Sequence, residues 1–262
     1  MTNRLLLALE TIVSWLDKQQ APYMIFGGIA NSIYGNPRQT FDIDVKISVP
    51  SKNEKVDFIE QLRKIAVVLP EDPMQFITET SVLPVTIHEV RVDLVFAQLP
   101  FEELAIERSR RKQFSSITMN VCSIEDFILQ KAVSTRQKDW DDIETVTSIQ
   151  KENIDWQYLL QHCRDAFRFP ERCHHTHENS KHAMKSQTND THELRNRMNR
   201  FNAWEQSYIK QLSEEERFKQ FVELFELSMS SDTATVEKAH SEHIEQLARI
   251  ARAVREKKRR TV

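Results

Sequence analysis

Glycine is scarce in this chain, and its scarcity narrows the possible fold classes. Only 3 of the 262 residues are glycine, against a usual share of about 7%. Sandwiches and barrels use glycine in many tight turns, so the composition favours a helix-rich protein. The glycines are Gly27, Gly28 and Gly35. Their clustering predicts a close approach of the backbone to another group in that segment.

Cysteine and long apolar runs are also scarce. Cys122, Cys163 and Cys173 are odd in number and form no CxxC pair, which argues against a disulfide scaffold and indicates a reducing cytoplasm. No apolar stretch approaches the roughly 18 residues of a membrane span. The leucine-rich run at residues 5–9 is followed by acidic residues and no small-residue cleavage site, so we expect no signal peptide.

Composition and charge predict three segments. Residues 1–170 hold 19 basic and 24 acidic residues, a net charge of −5, and alternate helical and strand patterns. Residues 171–197 hold five histidines and only four apolar residues, which is typical of a flexible polar linker rather than a metal site. Residues 198–262 return to helical periodicity and predict a helical interaction module. The small overall charge of −3 argues against a nucleic-acid coat protein.

Hydrophobic periodicity gives the expected elements of the first segment. We expect helices at 3–20, 29–34, 54–68, 101–111 and from 123 to about 167. We expect strands at 23–26, 41–49, 80–88, 90–97 and 115–121. In the third segment an apolar face formed by Phe201, Trp204, Tyr208 and Leu212 predicts packing between helices or self-association.

Three acidic residues lie in apolar strand patterns. Asp42 and Asp44 alternate with Ile43, so their side chains should project from one face of a strand. Asp93 lies within a second apolar strand, where a carboxylate is costly unless it is paired or bound to metal. Hard oxygen ligands suit Mg²⁺ or Mn²⁺. If these strands are neighbours, the three carboxylates form a site for a divalent metal ion.

The glycine pair precedes these residues and suits a phosphate. The turn at Gly27 and Gly28 opens onto a helix and offers unhindered backbone N–H groups at its positive end. Metal, triphosphate and an acceptor hydroxyl could meet there. That arrangement favours in-line displacement at phosphorus.

These motifs resemble the minimal nucleotidyltransferases of the polymerase-beta-type superfamily. The shared pattern is the glycine turn, a helix, Arg-x-Thr-x-Asp-h-Asp at residues 38–44 and a later strand aspartate. Residues 127–143 add a lysine helix and an Arg-x-Lys-Asp-x-x-Asp-Ile element, similar to the toxin–antitoxin and abortive-infection group. The resemblance covers residues 20–150. It implies an α+β fold with a mixed sheet flanked by helices.

The resemblance also implies roles for single residues. Gly27, Gly28, Arg38, Thr40 and Lys131 would bind nucleotide, with Lys131 directed toward the nucleotide or the acceptor. The expected metal ligands are the three strand aspartates, of which the last could instead accept the proton of the attacking hydroxyl. Together with Lys131 they form the expected catalytic set: Asp42, Asp44, Asp93 and Lys131. The chain departs from many relatives in having Gly28 where they have serine.

The resemblance implies Mg²⁺ or Mn²⁺ as cofactor and a nucleoside triphosphate (NTP) as substrate. The acceptor would be a protein or RNA hydroxyl, with a small molecule as a third choice. A cognate toxin or antitoxin is an expected partner. The competing interpretation is a catalytically weak module of the same fold that binds a nucleotide or a partner.

Several other residues have structural explanations as good as functional ones. Asp139 and Asp142 are three residues apart on a helix, so pairing within the helix explains them as well as catalysis does. Arg136 and Lys138 could equally form a solvated face.

Overall fold

The computed structural model describes residues 3–36, 42–132, 136–166, 193, 196–208, 210, 211 and 213. The described residues form the strands β1 (Tyr23–Ile25), β2 (Asp42–Ile47), β3 (Val67–Val68), β4 (Val82–Ile87), β5 (Val90–Phe96), β6 (Arg110–Phe114) and β7 (Ile117–Val121). The helices are α1 (Arg4–Gln19), α2 (Gly27–Ile33), α3 (Lys52–Leu62), α4 (Pro73–Thr80), α5 (Pro100–Glu107), α6 (Ile124–Ala132), α7 (Gln137–Gln150) and α8 (Trp156–Ala166). A short 3₁₀ turn spans Lys151–Asn153, and residues 196–208 form a further helix.

The strands form one mixed sheet in the order β3-β4-β5-β2-β1-β7-β6. β2 pairs in parallel with β5, and β1 pairs in parallel with β7. The other neighbouring strands are antiparallel. The expected α+β fold, with a mixed sheet and flanking helices, is confirmed.

The two central strands have one apolar face and one charged face. Alternate residues of β2 and β5 are fully buried in the hydrophobic core: Ile43, Val45, Ile47, Val92, Leu94 and Phe96. Because side chains alternate along a strand, the intervening residues project from the opposite face. The core therefore fixes which way the acidic residues of these strands point.

Most expected elements of the first segment are present, but the sequence interpretation was wrong at three places. The helix expected at 54–68 ends at Leu62, and β3 follows it. Helix α4 was not expected, although Asp72 caps it by accepting from the N–H of Gln75 at 2.9 Å, and Pro73 begins it. Strand β6 was also missed. Four of its five residues are exposed, so it has no apolar alternation.

The helix of residues 196–208 contacts the sheet domain at several points. The Trp204 ring meets the Phe76 ring of α4 edge to face, with centroids 5.5 Å apart. Nε of Arg200 donates to the carbonyl of Glu79 at 2.7 Å. This described part of the expected C-terminal module therefore packs against the sheet domain.

Residues 171–192, which include all five histidines of the expected linker, lie outside the described residues, as do Leu212 and residues 214–262 of the expected helical module. The linker, the separate module and its self-association stay predictions. Within the described ranges, every helix is too short or too polar to cross a membrane.

A buried ion pair anchors α5 to β2. The ammonium group of Lys46 donates to Oε1 of Glu102, and the two residues are 4% and 3% exposed. The other carboxylate oxygen of Glu102 accepts from the N–H groups of Gln98 at 2.8 Å and Leu99 at 3.1 Å. Glu102 thus neutralises a buried cation and caps a helix.

We expect Glu102→Gln to lower the free energy of unfolding by about 3–5 kcal/mol, because Lys46 would remain buried without its anion. Glutamine keeps an oxygen that can accept from the helix-cap N–H groups, so the loss of stability measures the effect of removing the negative charge. Thermal and urea unfolding measure it. Glu107→Gln, at an exposed position of the same helix, is the matched control. A loss below about 1 kcal/mol would contradict the importance of the pair.

Candidate active site

Parallel pairing of β2 with β5 places four charged side chains on one face of the sheet. The register pairs Asp44 with Asp93 and Asp42 with Arg91. Because alternate side chains share a face, all four project from the same side. The structure therefore brings together the three carboxylates that were expected to converge, and it places an arginine among them.

Asp44 lies against the glycine turn. Gly27 has a φ of +60°, a conformation that favours glycine. A Cβ atom at Gly27 would lie 1.7 Å from Oδ2 of Asp44, so a side chain there would displace the carboxylate. The N–H of Gly28 donates to the same oxygen over 3.4 Å. The close backbone approach expected at the glycine cluster is present, and its partner is Asp44.

One nitrogen of Arg91 meets three carboxylates. Its Nη2 contacts Oδ2 of Asp42 and lies 3.0 Å from Oδ2 of Asp93 and 2.8 Å from Oε1 of Glu205. The side chain of Arg91 is fully buried, whereas those of Asp42 and Glu205 are 11% and 13% exposed. Glu205 comes from the helix of residues 196–208, so that helix contributes directly to the site.

Negative charge is concentrated in this cluster. Burial, reinforced by the charges of Asp42 and Glu205, raises the pKa of the Asp44 carboxyl to about 7. Burial also raises the pKa of Asp93 well above its usual value, against the opposing effect of Arg91. Asp93 is 1% exposed. Beyond the Arg91 ion pair at 3.0 Å, no group among the described residues donates a hydrogen bond to its carboxylate oxygens. A buried carboxylate with so few donors is costly.

These side chains fit a divalent metal ion. Asp42, Asp93 and Glu205 each offer an oxygen, and the three oxygens lie within 4.8 Å of one another. Asp44 is paired with Asp93 on the same face. An all-carboxylate set is typical of Mg²⁺ or Mn²⁺ sites, and an added cation would satisfy the oxygens of Asp93.

A second charged cluster holds α2, α6 and α7 together. The ammonium group of Lys131 donates to Asp139 and Asp142, each at 2.7 Å. Nδ2 of Asn31 in α2 donates to the other oxygen of Asp142 at 3.0 Å. All four residues are buried. The helix that begins at the glycine turn is therefore fixed to the two helices that follow the sheet.

Arg136 connects this second cluster to the first. Its Nε donates to Asp139 at 2.7 Å, and its Nη1 lies 3.6 Å from Oε2 of Glu205. Lys138 is exposed, whereas Arg136 is partly buried in these ion pairs, so the two residues do not form one solvated face. The chain of ion pairs from Asp142 to Glu205 links the glycine turn to the acidic face.

The remaining site residues predicted from the sequence have different outcomes in the structure. Arg38 and Thr40 lie outside the described residues. The ammonium group of Lys131 pairs with two aspartates, and its expected contact with nucleotide or acceptor stays a prediction. Sequence reasoning missed Arg91 and Glu205. Arg91 had a signal, because it lies two positions before Asp93 in an apolar strand, whereas Glu205 had none.

Comparison with known proteins identifies one family. A family model described as "Nucleotidyl transferase of unknown function (DUF2204)" matches residues 5–214. The matched range includes β2, β5 and the helix that carries Glu205. No curated protein sequence matches the chain.

Several solved structures are similar at low sequence identity. The antibiotic-resistance factor ANT(2'')-Ia in solution is 16% identical over 72% of this chain and 99% of that chain, with a TM-score of 0.44. An antigenic nucleotidyltransferase-like protein from Paracoccidioides brasiliensis is 18% identical over 60% and 87%, with a TM-score of 0.39. The lincosamide antibiotic adenylyltransferase LnuA, lincomycin-bound, is 15% identical over 54% and 95%, with a TM-score of 0.38.

We expect Asp44→Asn to stabilise the metal-free protein at pH 8 by on the order of 2 kcal/mol. The folded-state pKa of Asp44, about 7, is raised above its unfolded value. The folded protein therefore loses stability as the pH rises from about 4 through 7, and asparagine removes this loss. The gain should vanish near pH 4. Thermal unfolding in EDTA at both pH values measures it.

The matched control is Asp141→Asn, which removes an exposed carboxylate from α7 and should not reproduce the pH-dependent gain. Equal stability of Asp44→Asn and wild type at pH 8 would contradict the electrostatic account of the acidic face.

Proposed function

Because the chain belongs to the family of nucleotidyl transferases of unknown function (DUF2204), we propose that it transfers a nucleoside monophosphate from an NTP to an acceptor hydroxyl. The reaction depends on Mg²⁺ or Mn²⁺ and releases pyrophosphate. The observation that carries this proposal is the convergence of Asp42, Asp44 and Asp93 on one face of two paired strands.

The three carboxylates are proposed to have different roles in such a reaction. Asp42 and Asp44 would hold the metal, which when bound stabilises the charge on the attacking and leaving oxygens. Asp93 is buried beside Asp44 on the same face of the sheet, where a proton acceptor for the attacking hydroxyl is needed. It would take the proton of the attacking hydroxyl as that oxygen bonds to the α-phosphorus and the bond to pyrophosphate breaks.

The glycine turn would place the triphosphate beside these carboxylates. Gly27 leaves no side chain between the turn and Asp44, so a phosphate held by the turn lies next to the metal ligands. Gly28, Arg38 and Thr40 are proposed to contact the phosphates, as the sequence resemblance implies. Lys131 is proposed to act at the same site, where it holds the helices behind the turn through its two ion pairs.

The acceptor is proposed to be a hydroxyl on a protein or an RNA. The net charge of −5 over residues 1–170 weakens RNA binding, because RNA affinity depends on neutralised phosphates, and so favours a protein. The sequence resemblance supports a role in a toxin–antitoxin or phage-defence system, with the acceptor supplied by the partner.

We expect Mg²⁺-dependent incorporation of label from at least one α-³²P NTP into an acceptor in cell extract. Asp42→Ala, Asp44→Ala and Asp93→Asn should each reduce transfer about 100-fold or more, because each removes a ligand or the proton acceptor. Asp141→Asn, an exposed carboxylate on α7, should transfer at the wild-type rate. Digestion of the product with protease or ribonuclease identifies the acceptor class.

A catalytically weak binding module is the second candidate. The specific observation in its favour is Arg91, whose guanidinium group already lies among Asp42, Asp93 and Glu205. Tight nucleotide binding without labelling by any of the four NTPs would establish this alternative. Wild-type labelling in the Asp42→Ala and Asp44→Ala variants would contradict catalysis at this face.

A further inference from the structure

Arg91 occupies the position where the carboxylates of the candidate site converge. A single nitrogen, Nη2, meets oxygens of Asp42, Asp93 and Glu205, with distances of 3.0 and 2.8 Å to the last two. These three residues are also the group whose oxygens lie within 4.8 Å of one another. The guanidinium nitrogen and a metal ion would therefore compete for the same small volume.

The remaining donors of Arg91 are poorly used. An arginine has five N–H donors, yet neither Nε nor Nη1 of Arg91 has a hydrogen-bond partner among the described residues, although both atoms are buried. Beyond the ion pair with Nη2 at 3.0 Å, the carboxylate oxygens of Asp93 also lack a donor there. Buried polar groups in a purely structural ion pair are usually satisfied. The guanidinium group of Arg91 is therefore held by the ion pairs of Nη2, while its other two nitrogens make no hydrogen bond to the described residues.

Arg108 shows the contrast with an arginine that has a structural role. Its Nε lies 3.2 Å from Asp126 and its Nη2 lies 3.4 Å from Glu125, so two different nitrogens are used. Its guanidinium carbon lies 3.6 Å from the centre of the Tyr158 ring. Arg108, like Arg91, contacts two or more carboxylates and an aromatic ring. Unlike Arg91, it does not lie among three carboxylates of the described residues whose oxygens could bind one metal ion.

Two aromatic rings lie beside the guanidinium group of Arg91. The centroids of Tyr208 and Trp204 are 5.1 and 5.8 Å from its guanidinium carbon. Cation–π attraction stabilises a guanidinium over such rings. The rings therefore contact the guanidinium group while its Nη2 pairs with the carboxylates, and this contact with the helix of residues 196–208 does not depend on those ion pairs.

We propose that Arg91 is a displaceable counter-ion, which holds the carboxylates of the metal-free protein together and leaves their centre when a divalent cation binds. This proposal rests on the metal site of the proposed function, in which Asp42 is a ligand, and adds oxygens of Asp93 and Glu205 to that site. Arg91 is then a positioning residue that lowers the affinity for metal, because its charge must be moved before Asp42, Asp93 and Glu205 can accept another cation.

Metal binding without nucleotide tests this directly. The full chain is titrated with Mn²⁺, and free Mn²⁺ is followed by electron paramagnetic resonance. Arg91→Met removes the charge and keeps an apolar side chain beside the rings, and it should bind Mn²⁺ about 10-fold more tightly than wild type, or better. Arg91→Lys keeps a cation and should stay close to wild type. Arg108→Met is the matched control and should leave the affinity unchanged.

A second measurement is independent of the folding of Arg91→Met. Movement of the guanidinium group should change the fluorescence of Trp204 when wild type binds Mg²⁺. Trp204→Phe should lose that change while it still binds metal. Unchanged emission of wild type at saturating Mg²⁺ would overturn the proposal, as would equal or weaker Mn²⁺ binding by a folded Arg91→Met variant.

The outcomes separate this inference from the proposed function. If wild type transfers nucleotide with Mg²⁺ but Arg91→Met gains no affinity for Mn²⁺, only the counter-ion proposal fails. If neither protein binds Mn²⁺ and no NTP labels an acceptor, the metal site itself is refuted and both proposals fail together.

Discussion

The carboxylates on the face of β2 and β5 repel one another, and the arrangement around them limits that repulsion. Asp42, Asp44 and Asp93 share this face because parallel pairing aligns the two strands, and because the apolar side chains of both strands occupy the other face of the sheet in the core. Glu205 adds a further negative charge, and the buried cation that touches three of these groups is Arg91. Burial is the main reason that the pKa values of Asp44 and Asp93 are raised, and the excess of negative charge that one guanidinium leaves adds to the rise.

The site depends on parts of the chain that are far apart in sequence. The helix of residues 196–208 supplies Glu205 to the face formed by β2 and β5, and Arg136 links Glu205 to the ion pairs of α6 and α7. The end of that network holds α2 through Asn31. Ion pairs and a hydrogen bond therefore connect the helix of residues 196–208 to the helix that begins at the glycine turn. This connection is a reason to regard the helix of residues 196–208 as part of the site.

The sequence predicted the apolar strands, the shared face of Asp42 and Asp44 and the importance of the glycine turn, because each depends on local spacing. Strand alternation has a period of two, and a positive φ selects glycine within a few residues. The sequence could not predict that Glu205 approaches Asp42, because this contact depends on how a distant helix packs. Nor could it predict that Lys131 is neutralised by Asp139 and Asp142, since charged residues on a helix surface show the same pattern as buried ones.

The two aspartates paired across β2 and β5 have different surroundings, and this difference bears on their proposed roles. Asp44 receives an N–H from Gly28 and lies where Gly27 leaves room for its carboxylate. Asp93 pairs with Arg91 but accepts no backbone N–H among the described residues, and it is more deeply buried. A carboxylate held by the backbone keeps its orientation when a cation binds, which suits a metal ligand. Burial raises the pKa of the Asp93 carboxyl, so its carboxylate is a stronger base than one in solvent, which suits a proton acceptor. On the proposed function, the strand register places the two carboxylates side by side. The glycine turn contacts Asp44 alone, so the two carboxylates have different surroundings and different roles.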